Sequence, residues 1–422
     1  MEAGFSSKQI PINDGYLLSG YLQRTEKSNG ILDDLYVRTC VIKAGKKKTA
    51  FISVDTLAIT RKTTAFFERK IKEKGIEIEK IIFSATHTHS APAISNYDDL
   101  MIADSGYSKV VLDKIAESLT SAVKNLKKCV VSFESDIYDI VGKSRISKGK
   151  KSYVYLNGLY FWHISDDGRS RELAGGLLNY NCHPTVLSAE NLKISSEFSG
   201  ATVRSLEKKY GGSGFLFVNG AAGDISTRFT RNSQSYRQVL DFGEELSGRA
   251  EKQIKNLENL GKFEDITSLT MITKNFSMEG KKTRNYEIIE SEIDQIKKKM
   301  LSTGGGDKRI LETMLQGLKI EKNRTSQRDL EYEAEVNIIK LGEVCIVTVP
   351  GEFYSYYQEK ISEKRSKLIF IGYANGYTGY IPENDNENPE SYEEASAHLY
   401  AENGKRILEF ILSSLDYLYQ KK

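Results

Sequence analysis

The sequence predicts an α/β protein in which mixed β-sheets are flanked by α-helices, and three observations predict it. Apolar runs of strand length recur along the chain, among them Thr49-Ala-Phe-Ile-Ser-Val-Asp55 and Ile81-Ile-Phe-Ser-Ala-Thr86, and continuous apolarity marks strands buried on both faces. Amphipathic stretches alternate with them, the longest near 108–128 and 236–257, with apolar residues at helical spacing. No repeat, low-complexity tract or clear linker divides the 422 residues, so one large domain spanning residues 1–422 with an insertion is expected.

Up to about residue 60 the chain reads as short strands and turns that end in the 49–55 run. A helix follows at 63–74, with Ala65, Phe66, Phe67 and Ile71 on its stripe, then the strand at 81–86 and the long helix 108–128. Strands are expected at 129–140, 153–164 and 174–181, a helix at 197–210, a buried strand at 215–218 and a helix at 236–257. Residues 278–334 change character: two Lys/Glu-rich helical patterns flank Ser302-Thr-Gly-Gly-Gly-Asp307, which reads as a helical hairpin with a glycine turn and a solvated charged face. Strands at 335–340 and 343–349, a helix at 353–364, a strand at 368–373, a polar loop to about 394 and a helix at 395–418 complete the reading.

Lys plus Arg is 60 and Asp plus Glu is 57, a net charge of +3, which supports no chain-wide nucleic-acid footprint. No run approaches the ~18 apolar residues of a membrane span, and the N-terminus lacks the features of a signal peptide. A soluble chain is expected, cytoplasmic if complete and secreted or periplasmic if a leader has been removed. Cys40, Cys129, Cys182 and Cys345 are far apart with no Cys-x-x-Cys spacing, so reduced, buried thiols are expected and thiolate zinc sites are not.

The chemistry concentrates at strand ends. Thr86-His-Thr-His-Ser-Ala-Pro92 and Asn179-Tyr-Asn-Cys-His-Pro-Thr185 hold three of the five histidines, each segment following an apolar strand and stopped by proline. Open α/β sheets gather catalytic groups beyond the carboxyl ends of their strands. If strand geometry persists, His87 and His89 project to one face and can converge on one ion or substrate; the plainer alternative is a solvated strand end. His183 is the natural second imidazole for a metal. Phe215-Leu-Phe-Val-Asn-Gly-Ala-Ala-Gly-Asp-Ile-Ser226 runs from a buried strand into a turn of small residues, either a tight corner or an oxyanion site served by Asp224 or Ser226. In Val347-Thr-Val-Pro-Gly-Glu-Phe353, Glu352 is either a ligand or a carboxylate stabilising the next helix's first turn. Asn375-Gly-Tyr-Thr-Gly-Tyr-Ile-Pro382 repeats the design with Tyr377 and Tyr380. Four of the six prolines, Pro92, Pro184, Pro350 and Pro382, lie within three residues of a candidate group, so a joint site outweighs any single motif.

Taken together, Ser84-Ala-Thr-His-Thr-His-Ser-Ala-Pro92, Asn181-Cys-His-Pro-Thr185, Asn219-Gly-Ala-Ala-Gly-Asp-Ile-Ser226, Pro350-Gly-Glu352 and Gly376-Tyr-Thr-Gly-Tyr-Ile381 resemble the neutral/alkaline (non-lysosomal) ceramidase family, in the family's order. The resemblance runs from Asp34-Leu-Tyr-Val-Arg38 to Ser391-Tyr-Glu-Glu-Ala-Ser396. It implies a zinc-dependent amidase of sphingolipid metabolism that cleaves the N-acyl bond of ceramide, with Zn²⁺ held by His87, His183, Glu352 and Tyr380. It further implies that Ser226 is the catalytic serine, that His89 contacts substrate or the tetrahedral intermediate, and that Arg145 and Tyr392 belong to the site. The partner implied is a small-molecule or lipid N-acyl substrate; oligomeric state is not legible.

Three features depart from the family pattern. Ala91, Ala93 and Ile94 replace a glycine-rich stretch, which is expected to reshape the pocket mouth. A C-terminal β-sandwich domain is expected to be missing, and the insertion is charged where a membrane-facing enzyme would be apolar. They favour another N-acyl substrate over ceramide itself. The competing readings are a metallohydrolase of another class and a non-catalytic binding protein on the same fold; the first is disfavoured because eight βα units are not evident.

Overall fold

The computed structural model describes residues 1–97, 101–146, 153–282, 284–324, 332–385 and 391–420. The end of the expected insertion (325–331) and part of the expected polar loop (386–390) lie outside them. In chain order the elements are β1 (Glu2–Gln9), β2 (Tyr36–Ala44), β3 (Lys47–Val54), α1 (Arg61–Glu73), β4 (Lys80–Ala85), α2 (Ser105–Lys124) and β5 (Lys127–Ile137). There follow β6 (Lys143–Ser144), β7 (Tyr155–Ile164), β8 (Arg171–Tyr180), α3 (Glu197–Lys209), β9 (Gly214–Asn219), β10 (Ile225–Ser226) and α4 (Tyr236–Leu260). The remainder comprises β11 (Leu269–Met278), α5 (Tyr286–Ser302), α6 (Gly305–Arg324), β12 (Tyr332–Leu341), β13 (Val344–Thr348), β14 (Glu352–Phe353), α7 (Ser355–Lys364), β15 (Leu368–Ile371), β16 (Tyr380–Ile381), α8 (Tyr392–Ala395) and α9 (Ala401–Tyr419).

Two sheets stack between helical layers. The larger has the strand order β4-β3-β2-β1-β5-β7-β8-β9 and the smaller β11-β12-β13-β15. Side chains alternate across strands, and the cores follow that alternation. Cys345 and Val347 of β13 pack toward α7 and α9 with Tyr357, Ile361, Ile407 and Ile411, while Val344 and Ile346 face the larger sheet and meet Ile42, Phe51, Leu177 and Leu216. The larger sheet's other face is covered by α1 and α2 through Phe67, Ile71, Val111, Ile115 and Leu119, and by α3 and α4 through Phe198, Leu206, Val239 and Leu246. Strands buried on both faces explain the continuous apolar runs that announced them. All four cysteines are free and buried, as expected.

Several local expectations change. In α1 the buried stripe is Thr64, Phe67 and Ile71, whereas Phe66 is exposed beneath the guanidinium of Arg69. Strand β11 escaped the sequence reading because it is an edge strand with few buried positions. The expected helix at 395–418 is interrupted: the backbone N–H of Ala401 donates to the Asp385 carboxylate at 3.0 Å, which caps α9 after α8 has ended. The insertion is the connection between β11 and β12, and α5 and α6 share a small core of Ile289, Ile293, Ile296 and Leu318. Ala91, Ala93 and Ile94 are buried in the core beneath α2, not at a pocket mouth. No helix among the described residues is long and apolar enough to cross a membrane.

Candidate metal centre and cleft

Three parallel strand pairs, β3 with β4, β8 with β9 and β13 with β15, bring the carboxyl ends of five candidate segments together. Side-chain amides tie the two sheets there. Asn179 Nδ2 donates to Phe370 O at 2.6 Å. Asn375, at φ +54°, accepts from Phe83 N at 2.7 Å through Oδ1. Loop 372–381 is thus held against β4 and β9, and the site is built from segments that are distant in sequence.

His87 and His89 do converge, but not by continuing the strand. β4 ends at Ala85, and His87 sits at φ +68°, a left-handed conformation that non-glycine residues hold only where surroundings over-determine it. Each histidine anchors Nδ1 on a backbone carbonyl: His87 on Leu57 at 2.7 Å, His89 on Gly20 at 3.1 Å and His183 on Ala222 at 2.6 Å. A carbonyl only accepts, so each Nδ1 carries a ring proton, and in a neutral ring the lone pair is left on Nε2. Those lone pairs face one another and a carboxylate. His87 Nε2 lies 3.4 Å from His89 Nε2 and 3.4 Å from Glu352 Oε2, and His183 Nε2 lies 2.8 Å from the same oxygen.

Burial, with Arg145 assisting, drives the His183 pKa down to about 4. Burial and the neighbouring His87 hold His89 well below its usual range. Burial would raise the Glu352 carboxyl, but the charge and hydrogen bonds that His87 and His183 supply when they carry a second proton outweigh it and hold the carboxyl well below its usual range. With the rings neutral, acceptors face acceptors in a dry site, and a cation at their convergence takes the place of those protons. One ring nitrogen from each of His87, His89 and His183 lies within 4.8 Å of the other two. Imidazoles with a carboxylate, their second nitrogens oriented by carbonyls, suit Zn²⁺. The residues therefore fit a resident metal.

Glu352 is not in a helix's first turn. It lies in β14, paired with Tyr380 of β16, and α7 begins three residues later, so the dipole explanation for this carboxylate fails. Its Oε1 accepts a hydrogen bond from Tyr377 Oη. Tyr380 stacks on His183 at 6.2 Å between ring centroids, and its hydroxyl lies 3.4 Å from Arg145 Nη2. No hydrogen bond joins Tyr380 Oη to a histidine or to Glu352 among the described residues. Arg145 is held by Glu393 at 2.9 Å and by Gly223 O at 3.0 Å. The Tyr392 ring meets that of Tyr380 edge-on at 6.0 Å. Tyr21, Arg24 and Glu393 went unnoticed in the sequence. Tyr21 packs on His89 at 5.0 Å, and Arg24 Nη1 donates to His89 O at 2.7 Å. No sequence signal marks them, because their contacts cross 65 or more positions.

The small-residue turn after β9 supplies close approach. A Cβ on Gly223 would lie 2.4 Å from Glu352 O and 2.9 Å from the Tyr354 ring. Gly223→Ala is therefore expected to cost about 1–3 kcal/mol through overpacking against backbone, read as a lower thermal midpoint; an unchanged midpoint would refute this tight fit. Ser226 is buried, and its Oγ accepts the Arg228 N–H at 3.3 Å. Among the described residues no imidazole or carboxylate hydrogen-bonds its hydroxyl. Asp224 is spent on Ser355, whose N–H and hydroxyl donate to it at 2.6 and 2.9 Å.

His89, Arg145, Ser226, Tyr380 and Tyr392 line a cleft of about 1120 Å³. Helix α6 contributes Glu312, Leu315, Gln316 and Lys319 to it, so the insertion is a cleft wall as well as a solvated face. Its docking is steric: a Cβ on Gly317 would lie 2.5 Å from Ala395 Cβ, and only glycine lets α6 approach α8 so closely.

Residues 12–155 match the family model described as neutral/alkaline non-lysosomal ceramidase, N-terminal. The fold is similar to the crystal structure of neutral ceramidase from Pseudomonas aeruginosa, with a TM-score of 0.74, 16% identity, and coverage of 97% of this chain and 73% of that one. It is also similar to a structure described as ceramidase complexed with C2, with a TM-score of 0.71, 15% identity, and coverage of 97% and 74%. The mixed α/β architecture expected from the sequence is the one these structures share.

Proposed function

We propose that this chain, whose residues 12–155 match the model of the neutral/alkaline non-lysosomal ceramidase family, is a zinc-dependent amidohydrolase that cleaves N-acyl amides. The observation that carries the reading is the convergence of ring nitrogens of His87, His89 and His183 and the Glu352 carboxylate beside an open cleft. In this reading His87, His183, Glu352 and Tyr380 hold the metal and His89 faces the substrate. Zinc in such a site supplies Lewis-acid polarisation of the amide carbonyl and a bound water of lowered pKa.

The chain's own residues do the rest. Burial and the neighbouring Glu352 raise the Tyr380 phenol well above its usual range; Arg145, between His183 and Tyr380 Oη, pulls the other way and is the chain's own group that would favour a phenolate beside a cation. Because the Arg228 N–H already donates to Ser226 Oγ, the serine's own proton is directed elsewhere, toward an oxygen in the cleft. A serine nucleophile needs an adjacent base, so Ser226 acts as a donor to charge developing on the substrate oxygen. Tyr392 orders the ring of Tyr380.

The cleft wall carries Arg24, Arg228, Arg231, Lys319, Glu26 and Glu312 beside Leu22, Leu192, Phe229 and Leu315, so charged and apolar groups are mixed where a long acyl chain would have to lie. Short-chain or detergent-dispersed N-acyl amides are expected to be cleaved faster than long-chain ceramide in vesicles. An acyl chain that must leave a bilayer forfeits about 0.8 kcal/mol per CH₂ unless the protein buries it. The test is fatty-acid release from N-acyl amides graded by chain length, with and without a chelator. Chelator-sensitive release that falls with chain length is expected; rapid cleavage of long-chain ceramide in vesicles would overturn the substrate preference, and no cleavage of any member would overturn the amidase reading.

A further inference from the structure

Two tyrosines follow one another at the metal centre, and they do different things. Tyr380 turns its hydroxyl to Arg145, whereas Tyr377 donates to Glu352 Oε1. We propose that Tyr377 is a positioning residue, which occupies one oxygen of the Glu352 carboxylate so that only the other is presented to the metal.

The argument is one of shared lone pairs. Oε2 is the oxygen that faces His183 at 2.8 Å and His87 at 3.4 Å. Oε1 accepts the phenol proton of Tyr377, which takes up one of its lone pairs. A carboxylate divided in this way binds a cation through a single oxygen, and its orientation is set by the donor behind it. Without that donor the carboxylate is free to rotate and offer both oxygens.

The surroundings fix Tyr377 for this task. Asn375 is bonded to β4 on both sides of its amide, accepting from Phe83 N and donating to Ile81 O at 3.1 Å. Thr378 Oγ1 donates to Pro350 O at 2.5 Å, two residues before Glu352. The Tyr97 ring meets the Tyr377 ring edge-on at 4.6 Å, so the phenol is clamped by packing as well as by its backbone. The segments bearing donor and carboxylate are therefore tied directly together.

The inference rests on the zinc reading above, and its test separates the two. Tyr377→Phe removes only the hydroxyl. In the full chain, zinc affinity measured by competition with a chelating dye is expected to fall 10- to 100-fold, the scale for losing an outer partner of a metal ligand. The visible absorption bands of the cobalt-substituted variant are expected to shift as the carboxylate changes its binding mode. The difference infrared spectrum of the wild type on zinc loading is expected to show single-oxygen carboxylate binding, a readout independent of whether the variant folds. Wild type that takes up no zinc would overturn the metal reading itself. Wild type that binds zinc, with the variant equal in affinity and cobalt spectrum or with Glu352 bound through both oxygens, would overturn the role of Tyr377 alone.

Discussion

His183→Ala is expected to purify with almost no zinc, where the wild type carries about one ion per chain, and to lose turnover by at least about 10³-fold. Of the two histidines against Glu352, His183 makes the closer contact, and its ring is fixed by the Ala222 carbonyl on one side and by Tyr380 stacking on the other. In the proposed site its removal takes away one ligand and the support of a second. Lewis-acid polarisation is worth several kcal/mol, and about 4 kcal/mol corresponds to three decades of rate. Elemental analysis and fatty-acid release, read beside thermal unfolding of the metal-free form, separate a lost ligand from a lost fold. Equal zinc in variant and wild type would remove His183 from the metal site.

Much of this arrangement is legible in the sequence, because apolar strands buried on both faces and stopped by proline are local signals. Those signals located His87, His183, Ser226, Glu352 and the two tyrosines as segments of one site. The geometry that makes the site work is not local. His87 reaches His89 through a left-handed turn instead of a pleat, and that turn is held by backbone bonds from His87 N to Thr56 O and from Thr86 N to Val54 O. Glu352 reads as a helix-start carboxylate because Phe353-Tyr354-Ser355 leads into α7; its strand partner is Tyr380, 28 residues further on.

The insertion shows the same limit from the other side. Its charge runs marked a solvated hairpin, and α5 and α6 do form one. That α6 also walls the cleft depends on Gly317 meeting Ala395 across 78 positions, and no periodicity within the hairpin encodes that contact. Their own motif does not separate Tyr377 from Tyr380; the resemblance favours Tyr380 through its spacing to Tyr392, and what each hydroxyl meets, a carboxylate for one and a guanidinium for the other, is set by the fold.

Ser226→Ala is expected to lower turnover by about 10²- to 10³-fold and leave zinc content unchanged, the signature of losing one donor to a developing oxyanion. The serine is placed for this by backbone, not by a catalytic base: His183 N donates to Ile225 O at 3.0 Å, and β10 pairs with β6 so that Ser226 lies opposite Lys143. The substitution deletes only Oγ, whose sole partner among the described residues is the Arg228 N–H, and that amide stays close to the open cleft. Fold and metal should therefore survive. Ser226→Thr, which restores the hydroxyl at the cost of a methyl group, is expected to recover part of the rate. If the alanine variant loses zinc together with activity, Ser226 supports the site's architecture. If a burst of acyl-enzyme accumulates in the wild type, the serine is a nucleophile and its base must be sought in a group that reaches it only with substrate bound.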